Sequence, residues 1–389
     1  MSARDEPVAR RRGGTMRVRA VEPIPVAYPE PNDDGAERHL CLVRVTTDEG
    51  AVGWGEAVTM WPEASRATAE LVRGFAPLVE GRDPVRVEAV WRDLRSHAWW
   101  YGGAGIASFA LAAIDIALWD LRGQALGRPL VDLLGGPARE RLPAVASGHA
   151  SSPSIEELAA EIAGWVRGRA HGVKVGFGKR GEANLGFEHD RDVAFVRAVR
   201  EAIGPEPLLM VDLGVRNRWT VAEAVQRVRA FEEHGLHWIE EPLGADDPKG
   251  YATLRAKTCT LIAYGEREWN LRGLQRVIES GTCDVLGVDP GRAEGITGFV
   301  AACRLCEAHR VTANAHSWSS AIVLAASLAV SWALPACRVF ETKPLRNPMQ
   351  HELAAHTPAP ADGWWPLPDR PGLGIEVDES VVDRFRLDR

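Results

Sequence analysis

The chain has 389 residues, too many for one small core and about right for two domains or a barrel with an attachment. Apolar residues make up 46% and charged residues 25%, the profile of a soluble globular protein. The net charge of −7 comes from interspersed signs, which excludes a nucleic-acid footprint and a basic membrane face.

Residues 1–15 read as a disordered leader. The basic run Arg10–Arg12 is followed by Gly13 and Gly14 and by no apolar h-region, so it is not a secretory signal, and Met16 is an alternative start. From Met16 to about Glu56 the pattern is strand-like. "HLCLVRVTTDEGAVGWGEA" holds two alternating runs around Asp48-Glu49-Gly50, a hairpin signal. Helical patterns follow at about 62–79, 84–97 and 104–125. Strands followed by helices make 16–138 an α+β unit, read as an N-terminal capping domain. The apolar stretches 104–121 and 321–334 do not span a bilayer. The first carries Asp115 and Asp120, the second is too short, and both read as buried helices.

After "LLGGPARERL" the rhythm changes, and eight short apolar strands alternate with amphipathic helices over 139–344. The strands are "LPAVASGHA", "GVKVGFG", "PLLMVDLG", "LHWIEEP", "LIAYGE", "VLGVDPG", "RVTANAHS" and "CRVFETK". One helix opens on Thr220 with Glu223 three residues on, a capping box, and stops at Gly235. Alternation implies right-handed parallel crossovers, and eight strands in this length predict a closed βα barrel. The segment 345–389, rich in Pro and Gly, returns to the capping domain. Of six scattered cysteines only Cys303 and Cys306 form a C-x-x-C, inside a helical pattern; packing and a reducing, cytoplasmic location are the expectation.

Polar residues end these strands: Lys174, Asp212, Glu240, Glu266, Asp289, His316 and Glu341. From Asp212 onward they recur at intervals of 23 to 28 residues, one βα unit each time. Strand ends converge on one face of a barrel, where active sites sit. A lone acid there is often a helix cap or an ion pair. Three on consecutive strands, Asp212, Glu240 and Glu266, repel one another unless a hard divalent cation lies between them, and Mg²⁺ suits carboxylate oxygens. With no nitrogen or sulfur donor in the trio, zinc is disfavoured. Asp289 beside His316 would fix the imidazole tautomer and raise its basicity, as for a general base. Glu341 either hydrogen-bonds a substrate oxygen or pairs with Lys343.

These motifs resemble the enolase superfamily, in particular its mandelate racemase/muconate lactonizing enzyme families. The resemblance rests on "MVDLG", "WIEEP", "YGERE", "VDPGRAEGITG", "ANAHSW" and "VFETK", with "IASFALAAIDIALWDLRGQALGRPLVDLLGG" ahead of them and "NPMQHEL" and "PGLGIEVDE" behind. It covers about 16 to 385 and implies a (β/α)7β barrel, a modified TIM barrel, capped by both chain ends. It implies that Asp212, Glu240 and Glu266 bind one Mg²⁺ per site, with Glu241 supporting them from behind. It also makes Asp289 and His316 the His-Asp dyad of the mandelate racemase subgroup and Glu341 a donor to substrate, and it places Arg292 where the family often has a basic residue.

One departure stands out. The K-x-K of the family's second barrel strand is "GVKVGFGK" here, so Lys174 matches the first lysine and Gly176 replaces the second. Lys179 is a weak substitute beyond the strand end, and Gly214 replaces a frequent asparagine. Lys174 orients the substrate or is a structural ion-pair partner. His316 remains as the clear base. The expected reaction is Mg²⁺-assisted removal of the proton α to a carboxylate, then dehydration of a sugar acid (aldonate or aldarate) to a 2-keto-3-deoxy acid. The alternatives are a racemase or epimerase, a cycloisomerase, and a non-catalytic acid-binding relative. The expected partner is a small-molecule carboxylate, with no nucleic acid and no membrane. The resemblance also implies a homo-oligomer, dimer or octamer. Trp61, Trp99, Trp100 and Tyr101 in the capping loops either close over substrate or pack at the domain interface.

Overall fold

The computed structural model describes residues 16–149, 151–167, 170–177, 183–214 and 219–388. The leader and Lys179 lie outside them. Strands β1 (Val18–Glu30), β2 (Ala36–Thr47) and β3 (Val52–Met60) form one antiparallel sheet in that order. The turn at Asp48–Gly50 joins β2 to β3, with Gly50 in the left-handed region at φ 84°. Helices α1 (Pro62–Val79), α2 (Val87–His97) and α3 (Ile106–Leu126) follow, at the predicted places. α3 lies against β3 so closely that a methyl on Gly55 would stand 2.8 Å from the Ala113 carbonyl carbon. The acids that interrupt this apolar helix have partners. Asp120 accepts from Trp54 N–H and Leu373 N–H, and Asp115 from Thr297 N–H and hydroxyl. A short α4 (Leu130–Leu133), absent from the sequence reading, leads into the barrel.

The barrel strands are β4 (Leu142–His149), β5 (Gly172–Phe177), β6 (Leu208–Leu213), β7 (Leu236–Glu240), β8 (Leu261–Tyr264), β9 (Val285–Val288), β10 (Thr312–Ala315) and β11 (Phe340–Thr342). All pair in parallel in the order β10-β9-β8-β7-β6-β5-β4-β11, and a parallel bridge Ala313–Cys337 spans the seam between β10 and β11. Helices α5 (Ile155–Val166), α6 (His189–Ile203), α7 (Val221–Glu232), α8 (Pro248–Lys257), α9 (Leu271–Glu279), α10 (Gly295–His309) and α11 (Ala321–Ala333) fill the crossovers, so the unit is (β/α)7β. The capping box at Thr220 and Glu223 is formed. Cys303 and Cys306 are buried in α10, and the Sγ of Cys303 lies 3.8 Å from that of Cys337; all six cysteines are free thiols.

The tail carries more structure than its Pro and Gly content suggests. It forms α12 (Pro348–His351), α13 (Glu379–Phe385) and short strands, one of which, Trp364–Trp365, pairs antiparallel with the start of β4. It then returns to the first sheet, where Arg386 bridges to Val26 and Glu379 reaches Arg44 at 2.7 Å. Among the described residues no helix is long and apolar enough to cross a membrane.

Candidate active site

Inward positions recur every second residue along a strand. Val145, Met210, Trp238, Ala263, Val285 and Val339 form an apolar plug inside the barrel. Two residues further along β6 and β7 the inward positions become Asp212 and Glu240, which are register partners. Lys174 pairs with Met210, and Glu341 pairs with Val145, so both also face inward. The change from plug to polar layer occurs where the strands run out and the mouth opens.

Lys174 sits at the centre of this layer. Its Nζ lies 2.7 Å from Glu240 Oε2, 3.0 Å from Glu341 Oε1 and 3.8 Å from Asp212 Oδ2. Burial alone would push the ammonium down, but Glu240, Glu341 and Asp212 together hold it well above the usual lysine range. Burial raises Glu240, and the charges of Asp212, Glu341 and Glu266 add to that against Lys174. Asn314 Nδ2 donates to Glu341 Oε1 at 2.7 Å.

The second group is the dyad. Asp289 Oδ2 is 2.8 Å from His316 Nδ1, and Asp289 Oδ1 accepts from Gly291 N–H at 2.8 Å. Burial would raise Asp289, but Arg292, His316 and the Gly291 N–H outweigh it and hold the carboxyl below its usual value. An ionised Asp289 accepts a hydrogen bond from Nδ1–H and so fixes the tautomer that leaves Nε2 for proton transfer. Nε2 lies 3.3 Å from Glu266 Oε2. Arg292 is placed on the dyad: its Nε is 3.0 Å from Asp289 Oδ2 and its Nη2 is 3.2 Å from His316 Nδ1.

Glu241 turns out of the strand with φ 45° while its N–H donates to Ala263 O. Its carboxylate lies 2.7 Å from Arg267 Nη1. Burial and the charge of Glu266 push it up to about 8, against Arg267.

Among the described residues no three His, Cys, Asp or Glu side chains stand together as a finished ion cage. Two of the three expected ligands place an oxygen against a protein nitrogen instead, Glu240 against Lys174 Nζ and Glu266 against His316 Nε2. The chemistry of the set still fits a hard cation. Among the described residues, Asp212, Glu240, Glu241, Glu266, Asp289 and Glu341 crowd one mouth together with the cations Lys174, Arg267 and Arg292. The mutual repulsion of these carboxylates and their all-oxygen donors suit Mg²⁺ at Asp212, Glu240 and Glu266.

Two alternatives left open by the sequence are resolved. Glu341 does not pair with Lys343, which instead reaches Glu30 Oε2 at 2.7 Å across the cap–barrel boundary. Trp61, Trp99, Trp100 and Tyr101 are 59%, 70%, 79% and 49% exposed, which removes interface packing within the chain as their reason. The loop that carries Trp99, Trp100 and Tyr101 is tied to the segment after Glu266 by Asn270 Nδ2 donating to Gly103 O. Arg267 and Asn314 were missed by sequence reasoning. Arg267 and Asn314 lie inside the motifs "YGERE" and "ANAHSW".

Two family models match the chain: the mandelate racemase/muconate lactonizing enzyme N-terminal domain over residues 19–135, and the enolase C-terminal domain-like model over residues 157–381. The chain belongs to the mandelate racemase/muconate lactonizing enzyme family. This member of the enolase superfamily is 33% identical over 378 residues to a D-galactonate dehydratase family member of Streptomyces bingchenggensis, covering 90% of each chain. It is 29% identical over 359 residues to the D-galactarolactone cycloisomerase of Agrobacterium fabrum, covering 89% of this chain and 91% of that one. A racemase from Streptomyces coelicolor, solved with bound magnesium, superposes with TM-score 0.83 at 26% identity over 95% of this chain and all of that one. The enzyme thus sits among relatives named as lyases and isomerases.

Proposed function

We propose that this enzyme dehydrates a sugar acid, an aldonate or aldarate, to a 2-keto-3-deoxy acid. The observation that carries the reading is the clamped imidazole of His316, held by Asp289 with Nε2 turned to the carboxylate mouth. The dehydratase name of the Streptomyces bingchenggensis relative supports it. Mg²⁺ held by Asp212, Glu240 and Glu266 would supply positive charge to a substrate carboxylate as its α-proton leaves. His316 Nε2 accepts that proton, and the Asp289 carboxylate steadies the imidazolium. Lys174 keeps a fixed positive charge beside Glu240 and Glu341 and orients substrate oxygens. Glu341 Oε1 is engaged by Lys174 and Asn314, so donation to substrate falls to its other oxygen. Arg292 acts through the dyad, and Glu241 with Arg267 braces the end of β7. The exposed Trp61, Trp99, Trp100 and Tyr101 close over the bound acid.

In this reading 16–138 and the tail from 345 form the cap over a barrel at 139–344. The protein works in the cytoplasm as a homo-oligomer, dimer or octamer, which suits six free thiols; light scattering of the purified protein tests the assembly. Turnover is tested by NMR over a panel of aldonic and aldaric acids with Mg²⁺. Loss of one water with a new 2-keto signal is expected. Isomerisation without water loss would replace this reading with the cycloisomerase or racemase one, for which the Agrobacterium fabrum relative speaks.

A further inference from the structure

We propose that β3 of the cap holds the two halves of the dyad in line, with Glu56 as the positioning residue for His316. The proposal rests on His316 as the base of the reaction proposed above and adds what keeps that base aimed.

Asp289 and His316 each stand one residue past the last ladder pair of their strands, Val288 with Ala315. Strand pairing therefore fixes where the chain arrives and not where it turns. β3 is the edge strand of the cap sheet, and it reaches both turns. The Val58 N–H donates to Gly291 O at 3.1 Å, and the Gly291 N–H donates in turn to Asp289 Oδ1. Two residues earlier on the same strand, Glu56 takes hold of the segment that follows His316. Its Oε2 accepts from the Ser320 hydroxyl and, at 3.3 Å, from Val323 N–H, and its Oε1 faces Ser320 N–H at 3.4 Å. Glu56, Asp289 and Ser320 are buried, so donors left without this acceptor would find no bulk water to replace it.

Gly291 makes the contact possible. A methyl there would stand 2.6 Å from Val58 Cγ2, 3.0 Å from Val323 Cγ2 and 3.2 Å from Asp289 Oδ1. The turn of Asp289, the cap strand and the start of α11 thus meet at a point with no room for a side chain. Arg38 adds a second hold from the cap, donating to Trp318 O at 2.7 Å. Burial pushes the Glu56 carboxyl up, and the Ser320 hydroxyl and Val323 N–H oppose it. Glutamine, neutral and with one acceptor oxygen, is therefore the conservative replacement. The base needs this care because a displacement of about 1 Å at a reacting group costs on the order of 10²-fold in rate.

The test uses the full-length protein with Mg²⁺ in D2O and follows deuterium entry at C2 of a sugar acid by NMR. A second readout needs no substrate: the downfield proton signal of His316 Nδ1–H in H2O, assigned by its loss in His316→Asn. Glu56→Leu should lower the maximal exchange rate by about 10²-fold with KM little changed, and should abolish the signal. Glu56→Gln should keep the signal and most of the rate. Glu56→Leu/Ser320→Ala should lose little more than Glu56→Leu alone. Ser320→Ala removes one hydroxyl and serves if Glu56→Leu does not fold; it should lower the rate in the same direction. Thr297→Val breaks a different cap–barrel bond, the one to Asp115, and should lower the unfolding midpoint while leaving rate and signal intact. A wild-type rate and signal in Glu56→Leu, or in Ser320→Ala if that is the variant that folds, overturns the proposal. So does glutamine no better than leucine, or an equal fall in Thr297→Val, the mark of general loosening. If the wild type exchanges the C2 proton of no acid, the reading of His316 as base fails separately. The signal then decides the positioning: lost in Glu56→Leu and kept in Glu56→Gln upholds it, and unchanged in both, or absent from the wild type, overturns it.

Discussion

Lys174 Nζ lies 2.7 Å from Glu240 Oε2, and both side chains are buried. The ammonium occupies the attention of a carboxylate that a divalent cation would also claim. Competition between the two for one group makes ion binding readable in the stability of the fold.

Mg²⁺ should therefore raise the unfolding midpoint of the wild type. At a hundredfold excess over its dissociation constant, a ligand of the folded state adds about 2.7 kcal/mol. Asp212→Asn, Glu240→Gln and Glu266→Gln should each shrink that shift in calorimetry, and Lys174→Met should enlarge it by removing the competing ammonium. A wild-type midpoint indifferent to Mg²⁺ would sink the ion site.

Asp289→Asn preserves shape but removes the charge that fixes Nδ1–H on His316. Turnover and C2 deuterium exchange should fall together by roughly 10²–10⁴-fold, with thermal unfolding little changed. An unimpaired exchange rate would show that His316 does not depend on the dyad.

Lys343 and Glu30 form an ion pair with side chains 1% and 0% exposed, joining the end of β11 to the end of β1. Lys343→Met leaves Glu30 buried and uncompensated, and urea unfolding should show a loss of about 3–5 kcal/mol. Adding Glu30→Gln should recover much of it. Additive losses in the double variant would contradict the pairing.

Asp115 ties α3 to the start of α10 through Thr297, and burial pushes its carboxyl up to about 7. Its folded value lies above its unfolded one, so the contribution to stability is full below about pH 4 and is lost as pH rises to 7. Between those values the unfolded chain ionises first, and the slope is at most about 1.4 kcal/mol per pH unit. The stability difference between Asp115→Asn and wild type should shift in favour of the variant over that window. A pH-independent difference would exclude Asp115 as the titrating group.

Much of the molecule was legible before any coordinates. All eight barrel strands and the three long helices of the cap lie where the apolar patterns put them, because strand and helix periodicity is a local property. The row of acids was legible for the same reason: each stands at the C-terminal end of its strand or within two residues beyond it. What escaped was smaller. α4 is a single turn, and the tail strands are two residues long, too short for any period to register. Arg267 and Asn314 stood inside recognised motifs without a role, since nothing local says which carboxylate they meet.

The residues by themselves determined the (β/α)7β rhythm, the convergence of acids on one mouth, and the family. Only the tertiary structure decided the pairings: Lys174 with Glu240 and Glu341, Lys343 with Glu30, and Glu56 with Ser320. The reason is physical. A period in one strand fixes the side on which a group emerges. Which opposite charge neutralises a buried group depends on chain segments that meet only after the barrel has closed and the cap has docked, and burial makes that choice strong.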